Sequence, residues 1–513
     1  MKFLQKKFFN FRPLFCVFIA LFSGIILSRY FLLSNYIYLG VFIFLLFAAL
    51  TICILKKKVK QFLVFLLAFI CGLLFYIVEM KVYSPSQIAI NAEEFVGRVS
   101  GQSQIKGKYQ CVIVDNVSVN GEKQNYNVLI VNNNTENLFS VGDIISGSAN
   151  LEKFELFEQY EKENRFNSSN YRNNVRYTFR ANPNNFEVVD KDLHFDENLQ
   201  LSIKHQLDKF MTEENSAISY AMFFGDKSEI TYETKDSFSK SGISHILAIS
   251  GLHVGVLVGV LIWIFKKCRM NKYLSFGIVS AFLFVYCLLC SFSPSVVRAS
   301  VMAIVLMAAN LLGRKYDSLS AIGIAGILLL LIKPLYAFDI GFQMSFACVI
   351  GISIFYSSIY KLLRKIKFPN FLAKPLAVSI STQIALIPIL SNTFGTFSIL
   401  SVFLNIIIIP IFSVAYIIQF IFLPLSFITS FFGNFLYFTQ LILEAIKICA
   451  TFVATIPYTF VNISIVNLPI FAGYYTICYA GSRMTFFNKT TKIILCLSLL
   501  LLTIVFAGIL YIL

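Results

Sequence analysis

The chain alternates between long apolar runs and one extended polar interval. Apolar runs occupy approximately residues 13 to 33, 36 to 55 and 61 to 79. At about 1.5 Å of rise per residue, each is long enough to cross a bilayer core of roughly 30 Å as a helix. From about Pro85 to Asp190 the composition becomes polar and Asn-rich, with short alternating runs at Phe95 to Val99, Tyr109 to Val114, Tyr126 to Val131 and Ile144 to Gly147. This period of two, divided by turn formers such as Asn120-Gly121, predicts a small antiparallel β domain. Around a hundred residues suits a five-stranded barrel of the oligonucleotide-binding type. Helical periodicity with charge returns between residues 195 and 240, as expected of amphipathic helices lying on a membrane face.

Apolar runs then follow at about 242 to 265, 273 to 292, 294 to 312, 318 to 333, 340 to 360 and 371 to 391. The uncharged stretch 397 to 431 contains Pro410 and Pro424 and reads as one broken or re-entrant pass; runs at 433 to 455, 460 to 480 and 491 to 512 close the series. The pattern predicts a polytopic α-helical membrane protein of about 12 spans with an inserted, extracellular, OB-like β-barrel.

Composition agrees: of 513 residues, 57% are hydrophobic and only 14% are charged, which excludes a soluble globular chain. The net charge of +16 is explained by Lys and Arg in short loops, as at Lys56 to Lys60, Lys266 to Lys272, Gly313 to Asp317 and Lys361 to Lys367. Such loops are cytoplasmic by the positive-inside rule, which places the N-terminus inside and the β domain outside. A second apolar run so soon after the first makes the N-terminal segment a retained span rather than a cleaved leader. The 11 cysteines show no CxxC or Cys/His ligand spacing, so neither a disulfide framework nor a metal site is expected.

Against this background SGISHILAISGLHVG, Ser241 to Gly255, is anomalous: it opens an apolar run yet carries two histidines, three serines and several glycines. Side chains like these are costly against lipid and should face protein or a water-filled path. Counting depth from the basic anchors, His245, His253, Arg298, Asp339, Gln343, Gln383 and Asn405 all fall toward the outer side of their spans. Together they predict an outward-opening polar vestibule, with an Arg298–Asp339 pair reducing the cost of both charges. Gly255 and Gly259 have the GxxxG spacing that permits close helix approach. In the β domain, Arg165, Tyr171, Arg172 and Arg176 form the only stretch whose basic and aromatic composition suits single-stranded nucleic acid; the aromatics read equally as core.

Four segments carry a resemblance. SGISHILAISGLHVG, SPSVVRASVMA, YAFDIGFQMSFACVIGI and LAKPLAVSISTQIALIPILSNTFGTFSILSVFLN resemble, in order, the signatures of the competence domain of the ComEC family of DNA-internalisation channels. The resemblance divides the chain into three N-terminal spans (1–84), an OB-like domain (85–195), outer-face amphipathic helices (196–240), a competence-type channel core (241–431) and C-terminal spans (432–513). It implies passage of single-stranded DNA through the cytoplasmic membrane in natural transformation. Position by position, His245, Ser250, Gly251, His253, Ser293, Pro294, Arg298, Asp339, Gly341, Gln343, Gln383 and Asn405 match the family's patterns. Arg298 and the histidines among them are expected to contact phosphates or bases along the path, and the glycines with Pro410 to form irregular helices lining it.

Many members end in a metallo-β-lactamase-like domain that degrades the second strand. No HxHxDH cluster or GxxxxGK[ST] loop occurs here, so no catalytic residue, metal or cofactor is expected. Strand degradation, pulling and capture then fall to partners: a separate nuclease, a cytoplasmic ATPase or helicase with strand-binding proteins, and an outer DNA receptor. An exporter or flippase for a small polar or lipid-linked substrate is the alternative from another transport class. An intramembrane enzyme built on His245 and His253 lacks a carboxylate or thiol to complete it.

Overall fold

A computed structural model describes residues 12–32 and 59–456, apart from 86, 107–108, 133–138, 161–162, 182–185, 395 and 399, together with 460–462, 473–478, 496–498 and 500. Two apolar helices, α1 (Pro13–Leu32) and α2 (Val59–Tyr83), lead into the β domain. They touch along Gly24 and Gly72, where a Cβ on either glycine would stand 2.3 Å from a backbone carbonyl of the other helix. Close approach therefore occurs between glycines 48 positions apart in sequence, a pairing that no local spacing reveals.

The β domain is a closed barrel, as its alternation predicts. Its strands are β1 (Ala89–Lys106), β2 (Tyr109–Val119), the two-residue β3 (Glu122–Lys123), β4 (Asn127–Asn132), β5 (Asp143–Lys153), β6 (Phe157–Tyr160), β7 (Glu163–Phe166), β8 (Val175–Ala181) and β9 (Phe186–Lys191), with a short α3 (Ser168–Arg172) before β8. β1 pairs with both β2 and β5, closing the circuit β1-β2-β4-β8-β5. Only the β4–β8 pairing in that circuit is parallel. The inward positions Phe95, Val99, Val114, Val128, Ile130, Ile145 and Leu151 are completely buried. Asn120 and Gly121 both hold positive φ between β2 and β3, as a type I′ hairpin turn requires.

The insertion between β5 and β8 seats the barrel on the helices. Phe157 and Phe166 pack on Phe338, Tyr171 packs between Tyr83 and Tyr336, and the Arg29 guanidinium stands 3.4 Å above the Phe157 ring. Lys333 Nζ donates to the Arg172 carbonyl at 2.6 Å.

Beyond the barrel lie α4 (Phe195–Phe210), α5 (Glu213–Phe224), α6 (Tyr232–Lys240), a 3-10 turn at Ser244–Leu247, α7 (Gly251–Lys267), α8 (Lys272–Leu289), α9 (Pro294–Leu311) and α10 (Ser318–Ile332). A second 3-10 helix, Pro334–Phe338, precedes α11 (Ile340–Lys365) and α12 (Asn370–Phe394). The short β10 (Thr396–Ser398) pairs with β11 (Phe460–Asn462), and between them run α13 (Ser401–Ser426) and α14 (Ser430–Thr455).

Among the described residues seven helices are long and apolar enough to cross a membrane, and Pro13–Arg29 and Ser318–Ile332 are shorter apolar helices. The chain is a multi-pass membrane protein. The expected spans at 36–55, 460–480 and 491–512 lie wholly or largely outside the described residues. Two expectations need correction. Residues 401–426 make one pass, but the helix is unbroken: Pro424 sits in its last turns, and the Ser413 hydroxyl donates to the Ile409 carbonyl beside Pro410. α5 does not lie on a surface, because Asn215 to Phe223 are all buried.

At the end of the bundle opposite the barrel, Arg12 donates to both Asp317 carboxylate oxygens at 2.6 Å, and Ser320 donates to Oδ2 through its amide and hydroxyl. Burial pushes the Asp317 carboxyl up, but the Ser320 hydrogen bonds and Arg12 outweigh it and hold the group below its ordinary value of 3.8. A depressed folded-state value stabilises the fold above the unfolded value, and that contribution is lost as pH falls through the folded one. Asp317→Asn keeps the helix cap and removes the charge. The stability gap between wild type and this variant, at most about 1 kcal/mol for a partly exposed pair, should therefore close as pH falls below about 4. Thermal unfolding of the purified chain against pH measures it.

Candidate functional site: the α7 junction

The run expected to be one helix from residue 242 is two structures joined by a crossing. α6 ends at Lys240, Gly242 turns the chain at φ +78°, and after the 3-10 turn residues Ala248 to Ser250 are extended. α7 begins only at Gly251. Its cap explains the register: Ser250 Oγ accepts from the Leu252 amide, while His253 Nδ1 accepts from the Ser250 amide at 3.0 Å. This is a capping box with imidazole where Glu or Gln usually stands. An imidazole whose Nδ1 accepts an amide proton carries its own proton on Nε2. His253 Nε2 is buried without a partner, and the ring is held edge-on between Phe412 and Tyr416 of α13 at 5.0 and 4.8 Å. The imidazole thus faces protein. His245 lies in the 3-10 turn, half-buried.

Arg298 reaches the same junction from α9. It is only 4% exposed, and its guanidinium lies 2.6 Å from where a Gly251 Cβ would be. The expected Arg298–Asp339 pair is not formed. Asp339 instead caps α11 by accepting the Phe342 amide, and Arg298 makes no ion pair among the described residues. Cap geometry wins because the Asp339 carboxylate satisfies an orphan amide of its own helix. Ser293 occupies the α9 cap position without a side-chain bond, and Ser295 Oγ donates to the Gly341 carbonyl at 3.4 Å, so the starts of α9 and α11 meet. Gln343 Nε2 donates to the Ala337 carbonyl. Three helix starts, at Gly251, Pro294 and Ile340, therefore gather at the barrel end of the bundle around Arg298.

Gln383 of α12 donates to Ser401 Oγ at 2.8 Å, and Ser401 lies against Gly242. Asn405, Phe412, Tyr416 and Gln419 follow at helical spacing along α13. Buried polar atoms without a partner are few among the described residues, and none belongs to the barrel: they sit on Arg12, Asn215, His253, Ser280, Arg298, Gln383, Asn405 and Gln419. Half of them are residues the sequence singles out. Gln419 and Asn215 are not; Gln419, a lone amide in an apolar run, is the signal that could have found its group, since its Nε2 joins Ser219 and Thr439. Also missed is the ionic cluster of Glu214, Lys447 and Glu444, with contacts of 2.7 and 3.0 Å.

Two further expectations change. Among the described residues nothing lies within 4 Å of a Cβ built on Gly255 or Gly259, so that pair mediates no helix approach among them. In the barrel, Tyr171 is 2% exposed and its hydroxyl donates to Glu79 at 2.6 Å, so its ring joins the barrel to the helices and offers no stacking surface. Arg172 is half-buried, Arg176 leans on Asn174, and the Arg165 side chain lies outside the described part. No cluster of His, Cys, Asp or Glu fit to hold a metal occurs among the described residues.

A closed OB-like barrel seated on a multi-pass bundle, with unpaired polar groups gathered inside the apolar helices, defines a membrane protein built around an interior polar junction. The Competence protein family matches residues 222–485 of the 513, and the chain belongs to that family. It is 34% identical over 200 residues to ComE operon protein 3 of Bacillus subtilis (strain 168), covering 39% of this chain and 25% of that protein. It is 30% identical over 146 residues to an uncharacterized protein of Aquifex aeolicus (strain VF5), covering 28% of this chain and 34% of that one. The matches thus span about a quarter to a third of the length of these curated relatives. No solved structure matches.

Proposed function

We propose that this chain is the path by which single-stranded DNA crosses the bacterial cytoplasmic membrane during natural transformation. The β domain faces outward, the N-terminus and the basic loops face the cytoplasm, and the chain acts without catalysis of its own. The observation that carries this reading is the convergence of three helix starts on a buried arginine that has no acidic partner among the described residues. Helix N-termini carry partial positive charge and suit phosphate. Buried donors and acceptors left free on His253, Gln383 and Asn405 add further polar groups within the same helices. An exporter or flippase for a small polar or lipid-linked substrate would also use buried polar groups, but any such substrate without negative charge gives no reason for an unneutralised cation. Lacking a nucleotide-binding loop, the chain works with an outer DNA receptor, a cytoplasmic ATPase or helicase, strand-binding proteins and a separate nuclease.

Disruption of this chain should abolish transformation while DNA still binds the cell surface, scored by transformant counts alongside retention of labelled DNA on washed cells. Transformation at the parental frequency would sink the proposal.

A further inference from the structure

We infer that Arg298, set against the first turn of α7 at Gly251, is an anion site that holds one backbone phosphate of the passing strand. The identity of the ligand rests on the DNA-path reading; the site itself rests on the geometry of α7 and α9. Arg298 is almost wholly buried, and its Nε has no partner. Among the described residues it has no counter-ion, and a cation so far withdrawn from water carries a desolvation penalty that a bound anion would offset. The Phe346 ring, its centroid 6.0 Å from the guanidinium carbon, is at the weak end of cation–π range. Asp339, the acid at the neighbouring helix start, is committed to its own cap.

The helix start is shaped to the same end. The guanidinium occupies the volume a side chain at position 251 would fill, so a Cβ there would push the arginine away from the first turn of α7. Ser250 Oγ and the His253 ring serve the cap internally. The dipole of α7, and those of α9 and α11 beginning beside it, add positive potential at that point. A planar guanidinium with its donors in a fork matches phosphate oxygens, whereas a base brings no negative charge and would leave the penalty in place. One buried cation suits one phosphate at a time.

The test uses the full chain in lipid nanodiscs. Thermal stability is titrated with inorganic phosphate at constant ionic strength, with chloride as reference, for wild type, Arg298→Gln and Gly251→Ala. Phosphate should stabilise wild type, and Arg298→Gln should bind it at least roughly tenfold more weakly, as expected for loss of a charge-assisted contact. Gly251→Ala keeps the charge but displaces the guanidinium, and should lose affinity too; it remains readable if Arg298→Gln does not fold. Equal phosphate response in wild type and both variants, or no response in wild type, overturns the site. A second arm compares a labelled oligothymidylate with its uncharged methylphosphonate analogue: Arg298→Gln should weaken only the charged strand. If the phosphate arm holds while cells lacking the chain still transform, the anion site stands and the DNA reading falls.

Discussion

Arg98→Met will cost the fold about 3 kcal/mol and loosen the barrel from the helices behind it, the scale expected when one partner of a buried ionic network is removed. Arg98 is 3% exposed and lies on β1, where its guanidinium is fully engaged. Nε and Nη2 grip the two oxygens of Asp115 on β2 at 3.0 and 2.6 Å. Nη1 meets Glu197 on α4 at 2.6 Å and the Asp192 carbonyl at 3.3 Å, and Nη2 lies 3.0 Å from His194 Nδ1. Glu197 also accepts the His194 amide, closing the cap of α4. One side chain therefore joins two barrel strands to the helix that leads into the membrane part. Burial works against its charge, but the hydrogen bonds it donates to Asp115 and Glu197 outweigh that and raise its pKa above the ordinary arginine value.

Methionine fills similar volume and leaves the Asp115 and Glu197 carboxylates without their shared cation, which is where the cost arises. Arg98→Lys should fail to restore the loss, since a single ammonium cannot meet Asp115 and Glu197 with forked geometry. Asp115→Asn with Glu197→Gln in the methionine background should recover part of it by removing the stranded charges. Hydrogen exchange over residues 93–99 and 194–198 of the full chain is the direct measurement. Unchanged protection in Arg98→Met would show that packing alone holds the junction. The single tryptophan, Trp263, lies on α7 and does not report on this joint.

The barrel was legible because its strands bury one face each, so alternation at Tyr109 to Val114 and Tyr126 to Val131 is a direct record of inside and outside. Spanning helices were legible for the complementary reason that lipid accepts apolar side chains on every side. What failed depended on partners distant in sequence. α5 carries Glu213, Glu214 and Asn215 and looks like a surface helix, yet Asn215 pairs with Glu444 and Glu214 with Lys447, over two hundred positions away. Tyr171 has the composition of a nucleic-acid contact and the position of a hinge pin, because Glu79 and Tyr336 meet it from elsewhere. The polar members of the junction were legible individually, since an amide or guanidinium in an apolar run is conspicuous. Their pairing was not: Asp339 could as well cap as bind Arg298, and hydropathy cannot choose between them. Nor can hydropathy register a backbone reversal inside an apolar run, which is how residues 241 to 250 came to read as helix.

That reversal supplies the second large effect. Gly242→Ala should cost about 2–5 kcal/mol, combining a left-handed backbone penalty of roughly 1–2 kcal/mol with overpacking of about 1–3 kcal/mol. Its φ of +78° is one that a Cβ opposes, and a built Cβ stands 2.5 Å from Ser401 Cβ and 3.1 Å from Ser398 Cβ. Neither serine can retreat freely. Ser401 Oγ donates to the Ser398 carbonyl at 2.6 Å while accepting from Gln383, and Ser398 Oγ reaches back to the Ser241 carbonyl at 3.5 Å. Displacing them separates α6 from the start of α13 and carries Gln383 with it, so under the proposed DNA-path function transformation should fall with stability rather than be spared. The control is built into the same motif. Gly255→Ala and Gly259→Ala meet open space on a regular helix and should be neutral or stabilising by up to about 1 kcal/mol. Thermal unfolding and transformation frequency of the three variants rank them. If Gly255→Ala were the damaging one and Gly242→Ala harmless, the crossing would not be the fixed point of the junction, and the close-approach reading of the GxxxG pair would return.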